Sequence, residues 1–374
     1  MSDHYISGGQ SITFIDRDGV EGLVDVSFVS GEIVSVQSRG DFIIIGTNSR
    51  PFFHLINLTD FTVESSDFNA ASNATVTYAT TLSDDGSLSV VTNNGTFNTV
   101  RVINNSTLSV VASPSVSGVN NDCVFSKNGN FIGIARVTSP RFALIDTLDY
   151  SLVSGLPSLN SAGNGIALNS NGSIVAVAQQ SHTMRMFSTA DWSEITGFDS
   201  IFNAQKLRFS PDDTHLAIPV SSSSNGPKVI KMSDLSVIEP IPGAGSTHSC
   251  VFSPSGAELI FFGDENIYIV DTATWTLSET ISVGSSVITG GIIRSSDVRS
   301  ISGTIYDSNG LAAVRDLAIL KRENPSVNKK TTSDVSGNYK LPILGDFECC
   351  RIAFSDDASE GVVYNDLIDR VIPG

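Results

Sequence analysis

The sequence predicts an all-β chain: a seven-bladed β-propeller over residues 1–295, its closing blade shared between the N-terminal and C-terminal strands, and a small β-sandwich over residues 299–374. Three observations predict it. A strand–turn–strand unit recurs about every 43 residues, a large apolar side chain follows each turn at a steady distance, and no segment sustains a 3.6-residue helical period.

The repeat is anchored by its turns. Each joins an apolar strand ending near Phe-Ser to a second apolar strand, and they centre on Gly40, Gly86, Gly129, Gly172, Asp213 and Gly256, spaced 46, 43, 43, 41 and 43 residues apart. Gly and Asp suit these centres because a two-residue hairpin turn wants positive φ, which they tolerate best. The second mark is Phe61, Leu108, Tyr150, Trp192, Leu235 and Trp275, each about twenty residues beyond its turn. Each follows an apolar pair and a cluster of Asp, Asn, Ser or Thr, as in Ile269-Val270-Asp271-Thr272-Ala273-Thr274-Trp275. One unit therefore reads strand, tight turn, strand, loop, strand, turn, strand, which is a four-stranded blade.

The last strand of the sixth unit ends near Ile281. Residues 286–294 supply one more inner strand with no successors, and residues 5–28 supply outer strands with no inner one. Joined, they are expected to close a seventh blade and remove the exposed sheet edges. Beyond residue 299, Ile301-Ser302-Gly303-Thr304-Ile305-Tyr306 reads as a strand before the turn Asp307-Ser308-Asn309-Gly310. Residues 314–320 and 330–341 continue the pattern, Arg351-Ile352-Ala353-Phe354 alternates, and residues 364–373 supply a terminal strand.

Composition excludes several function classes. With 39 acidic and 22 basic residues the net charge is −17, so phosphate backbones and anionic lipid surfaces are repelled. The longest apolar runs, such as 42–45 and 259–262, are far too short to span a bilayer. Neither nucleic-acid binding nor membrane insertion is expected. The opening Met1-Ser2-Asp3-His4-Tyr5 lacks the basic and apolar regions of a secretion signal. Cys123 and Cys250 share the frame Cys-Val-Phe-Ser in different blades, too far apart to bond, and the adjacent Cys349 and Cys350 point to opposite faces of a strand. All four read as small hydrophobes of a protein that folds in a reducing cytoplasm.

No catalytic, cofactor-binding or metal-binding residue is assigned. His182, His215 and His248 lie ten residues after, two after and eight before their turns, so they cannot ring a central channel. No Gly-x-Ser-x-Gly elbow opens a helix, and Gly8-Gly9 and Gly290-Gly291 fit no nucleotide fingerprint. Asp84-Asp85, Asp212-Asp213 and Asp356-Asp357 sit at turns, where Asp caps its own backbone. The Lys321-Arg322 and Lys329-Lys330 pairs read as a solvated hairpin, and the inner-strand frames hold Val, Cys, Leu, Phe and Ser. The long connections at 64–74, 112–121, 155–164, 197–204, 219–227 and 239–248 share one face of the disk, with Phe198, Ile201, Phe202 and Ile241 among them. Since loops carry binding on rigid scaffolds, this face is the expected contact surface.

The frames Phe209-Ser210-Pro211-Asp212-Asp213 and Val251-Phe252-Ser253-Pro254-Ser255-Gly256 resemble WD40 and YVTN-type propellers over residues 1–295, without the Trp-Asp and Gly-His pairs of true WD40 repeats. The Gly303-Thr304 strand, the Asp307–Gly310 turn and the Thr331-x-x-Asp334-x-x-Gly337-x-Tyr339 segment resemble carboxypeptidase-regulatory-like, or prealbumin-like, Ig-like sandwiches. Together with the Ser/Thr/Asn-rich blades, the combination is similar to structural proteins of tailed bacteriophages. That resemblance implies a non-enzymatic tail or tail-associated component without cofactors. It would be assembled in the bacterial cytoplasm into the virion, with itself, other virion proteins and a host surface receptor as partners. The alternative reading is a bacterial surface or periplasmic propeller that binds glycans or acts as a lactonase-type hydrolase.

Overall fold

The computed structural model describes residues 4–8, 12–16, 23–24, 29, 32–39, 42–58, 62–66, 77–93, 100–222, 226–282, 289–293, 299–304, 311, 316–321, 328–344, 350–354 and 367–371. Gly40, Phe61, Arg322, Cys349, Asp356 and Asp357, with most of the 64–74 loop, lie outside them. Among the described residues there is no helix, and small antiparallel sheets follow one another in a β-propeller-like arrangement.

Six blades carry the repeat. Their innermost strands are Ile33–Arg39, Thr77–Leu82, Asn120–Phe125, Gly163–Leu168, Arg208–Phe209 and Thr247–Phe252. Each sheet runs outward from its inner strand in chain order; five have four strands, and in the third a single bridge between Ile145 and Leu152 stands for the outermost one. The sequence predicts seven blades, and this is corrected to six. The segments assigned to the seventh form only a three-stranded sheet, in which His4–Gly8 pairs with both Ile12–Asp16 and Thr289–Ile293. Among the described residues that sheet has no fourth strand, and Leu23–Val24 pairs instead, in parallel, with Ile343 and Leu344. The C-terminal strands otherwise make two sheets. Arg299–Thr304 pairs with Asn338–Leu344, and Asp316–Lys321 lies between Asn328–Thr332 and Cys350–Phe354, which also pairs with Leu367–Val371.

The core lies between neighbouring blades. Second strands such as Phe42–Thr47, Phe131–Arg136 and Glu258–Gly263 are buried from their second residue on. A strand covered on both faces carries a continuous apolar run where a half-exposed one alternates. Outermost strands such as Val63–Ser66 and Ser109–Ala112 are mostly exposed. Between the third and fourth blades Phe142, Leu144, Val175, Val177 and Phe187 share one cluster. Phe142 stacks on Phe187 at 6.3 Å and meets the edge of Trp192 at 6.3 Å.

Both sequence marks have a backbone cause. At the tight turns a single residue takes positive φ, from 60° to 74°: Gly86, Gly129, Gly172, Asp213 and Gly256. The turn is longer than the predicted two-residue form, since Ser126 N bonds Phe131 O at 2.9 Å and Ser253 N bonds Glu258 O at 2.9 Å across four intervening residues. Its amide bonds back three residues, as Gly129 N to Ser126 O at 2.9 Å and Gly256 N to Ser253 O at 2.8 Å. The Ser of the Phe-Ser frame latches the turn: Ser126 Oγ accepts from Phe131 N at 3.0 Å and donates to Asn128 Oδ1 at 2.8 Å. Leu108, Tyr150, Trp192, Leu235 and Trp275 also take positive φ, 53° to 60°, where the third strand turns into the fourth. For non-glycine residues this conformation is strained, and packing offsets it, since each lies against an apolar cluster. The two kinds of turn are tied together, by Thr147 Oγ1 to Gly129 O at 2.6 Å and Thr272 Oγ1 to Gly256 O at 2.6 Å.

Candidate functional site

The inner strands surround a cavity of about 600 Å3. Each blade contributes to its wall, through Gln37, Thr81, Val124, Ala167, Arg208 and Val251, and the cavity reaches the turn residues Ser126, Ser210 and Ser253. Counting back from the turn Ser or Asn places Thr81, Val124, Ala167, Arg208 and Val251 at one frame position. Arg208 is thus a charge where other blades have small or apolar side chains. Two residues earlier the frame holds Ala79, Asp122, Gly165, Lys206 and Ser249.

These exceptions meet. Asp122, with a side chain only 2% exposed, accepts from Ile166 N at 3.2 Å and from Arg208 Nη1 at 3.2 Å. Arg208 Nη1 also donates to Leu207 O at 2.6 Å. The pair spans from the third blade to the fifth across the fourth. Burial works against the Arg208 charge, but the neighbouring Asp122 carboxylate outweighs it and holds the proton more tightly than in a free arginine. Beside the Val, Cys, Leu, Phe and Ser expected in the inner-strand frames, the structure thus places a charged pair. Period-based reading fills a frame with its commonest residues, whereas this ion pair joins two blades through the residues that depart from it.

The histidines scatter. His54 is fully buried on the third strand of the first blade, Nδ1 at 2.7 Å from Ser65 Oγ. His182 is exposed, His215 packs on Trp275 at 4.4 Å between ring centres, and His248 Nε2 meets Asp264 Oδ1 at 2.8 Å. Among the described residues no three of His, Cys, Asp and Glu gather as a metal site would need. Cys123 and Cys250 are buried and unpaired; burial pushes the Cys250 thiol up to about 12 and Cys123 well above its ordinary value. Asp85 accepts from Ser83 Oγ at 2.6 Å and Ser87 N at 3.0 Å, which holds its carboxyl below the ordinary range. Asp213 reaches the neighbouring blade, accepting from Ser170 N at 2.8 Å.

His54 gives the fold a pH dependence. Burial lowers it from 6.5 to about 4, against a smaller upward pull from a hydrogen bond to the Pro51 backbone. The unfolded chain takes up the proton at the ordinary value while the folded one resists it, so stability is full above 6.5 and falls as pH drops from there toward 4. The loss is on the order of 3 kcal/mol. Urea midpoints at neutral pH and near the lower value, for wild type and His54→Gln, check this: the variant is expected to show the shallower pH dependence. Equal slopes would remove His54 as the cause.

On the long-loop face, Ile201 and Ile241 are buried and Phe198 packs against the core, so only Phe202 of the four apolar loop residues stands out, at 55% exposed. A bridge from Thr183 to Phe202 and another from Ala204 to Val220 hold that loop to its blade edges. Among the described residues no helix is long and apolar enough to cross a membrane. No protein-family model matches the chain, and no curated protein shows significant similarity to it.

Proposed function

We propose that this chain is a non-enzymatic structural component of a tailed-bacteriophage virion, a tail or tail-associated part that assembles through its long-loop face. The observation that carries the reading is Phe202: a solvent-facing aromatic on a loop pinned by bridges and by the buried Ile201. Rigidly held aromatics are the commonest anchors of protein interfaces, because they bury a large area for little lost rotamer freedom. The two C-terminal sheets are read as the prealbumin-like sandwich; either it anchors the part while the propeller displays its loops, or the reverse. Partners are further copies of itself, other virion proteins and a host surface receptor.

Light scattering of the full chain, alone and with purified tail components, tests this. A multimer or a complex is expected, and Phe202→Asp is expected to weaken it at least tenfold with an unchanged melting temperature. A monomer that fails to sediment with particles, or an association indifferent to Phe202→Asp, would overturn the reading.

A further inference from the structure

The channel wall is basic in an acidic protein. Among its described lining residues are Arg39, Lys127, Lys206 and Arg208 against Asp84 and Asp213. Most of these charges are engaged. Arg39 pairs with Asp84, Lys127 Nζ donates to Pro211 O at 3.1 Å, and Asp213 is held by Ser170. Arg208 Nη1 donates to Asp122, to Leu207 O and, at 3.5 Å, to Ile166 O, and Nη2 reaches Asp122 Oδ1 at 3.5 Å, but the Nε–H on the other edge of the planar fork makes no hydrogen bond within the described residues.

Lys206 differs from the rest. Its backbone is fixed beside the sixth blade, with its N–H directed at His248 O at 3.4 Å and its carbonyl 3.6 Å from Cys250 Sγ. Lys206, a half-buried residue of the wall, makes no side-chain hydrogen bond or ion pair within the described residues; the acid whose charge acts on its ammonium is Asp122, already taken up by Ile166 N–H and Arg208. Lys206, Arg208 and Asp122 together leave one uncompensated positive charge at the channel wall. A single cation there is costly unless an anion joins it. The repulsion of anions by the net charge of −17 is long-ranged and screened beyond about 10 Å at 0.1 M salt, whereas the local charge acts at contact.

We propose that the central channel binds a small oxyanion, the phosphate or carboxylate group of a free small molecule, between the Lys206 ammonium and the uncommitted edge of the Arg208 guanidinium. The cavity, about 600 Å3, has room for a molecule well beyond the anionic group itself. Burial pulls the Lys206 ammonium below the usual lysine value, and a bound anion would pull it back up.

The test uses the full chain with inorganic phosphate and citrate as separate probes, each against chloride at constant ionic strength. Calorimetric titration is expected to show binding of at least one probe, with affinity reduced at least tenfold in Lys206→Gln and kept within about threefold in Lys206→Arg. In wild-type protein, acetylation of amines read by mass spectrometry is expected to be slowed at Lys206 by the bound probe and unchanged at the exposed Lys231. This second measurement stands even where a substitution misfolds. Chloride-like behaviour of both probes, unchanged affinity in Lys206→Gln, or no protection of Lys206 would each overturn the site. None of these outcomes depends on virion assembly, so either proposal can fail alone.

Discussion

Gly165→Ala is expected to destabilise the propeller by about 3 kcal/mol or more, among the largest effects of any single methyl group in this chain. A Cβ at Gly165 would stand 2.1 Å from Gln205 O and 2.8 Å from Lys206 Cα. Both neighbours are backbone, so no rotamer change relieves the overlap, and the fourth and fifth blades must move apart. That movement also strains the next residue, because Ile166 N donates to Asp122 at 3.2 Å. Gly129→Ala is the control. There a Cβ meets nothing within 4 Å, and only its φ of +74° opposes a side chain, a cost of about 1–2 kcal/mol. Urea unfolding of both variants gives the comparison. A Gly129 variant less stable than the Gly165 one would refute the close approach.

Asp122→Asn is expected to be nearly as damaging, at about 2–4 kcal/mol. The amide preserves the shape and an acceptor for Ile166 N–H but leaves Arg208 without its counter-ion. Removing one partner of a buried pair costs about 3–5 kcal/mol, reduced here because the Arg208 side chain is 19% exposed and partly solvated. The double substitution Asp122→Asn with Arg208→Met is expected to recover much of the loss, since neither charge then remains to be desolvated. Thermal unfolding of the two singles and the double closes the cycle. Additive losses in the double variant would show that the pair does not interact.

The repeat was legible because it is written in positions with strong local physics. Gly86, Gly129, Gly172 and Gly256 mark the one residue per tight turn at positive φ, and Leu108, Tyr150, Trp192, Leu235 and Trp275 mark the other hairpin. The second set was visible as a period, yet its reason was not, because a bulky side chain at positive φ runs against propensity and is held there by packing. The blade count failed where local pattern gives way to competition between partners. The sequence pattern of Leu23–Val24 marks a strand but not its partner, and in the folded chain that partner is Ile343 and Leu344. The channel charges were hidden for another reason: Asp122 and Arg208 lie 86 residues apart, two repeats along, but at different frame positions, so the period alone does not pair them. What could have found them is the frame itself, in which Arg208 stands where Val124 and Val251 stand elsewhere.

The strand His4–Gly8 lies against Thr289–Ile293, with Tyr5 opposite Ile292. On the ribosome, Tyr5 is made 287 residues ahead of that partner. At a synthesis rate of 5–20 residues per second the wait is roughly 15–60 s. Each blade between them is a meander of neighbouring hairpins that forms in far less time, so the ring grows blade by blade and closes last. During the wait one edge of the N-terminal hairpin stays unfilled. A nearby nascent copy presents the same complementary strand, and the exchange that follows would give a swapped dimer. The spacing of translating ribosomes on one message, and not only the final stability, thereby sets how much closed monomer the cell obtains.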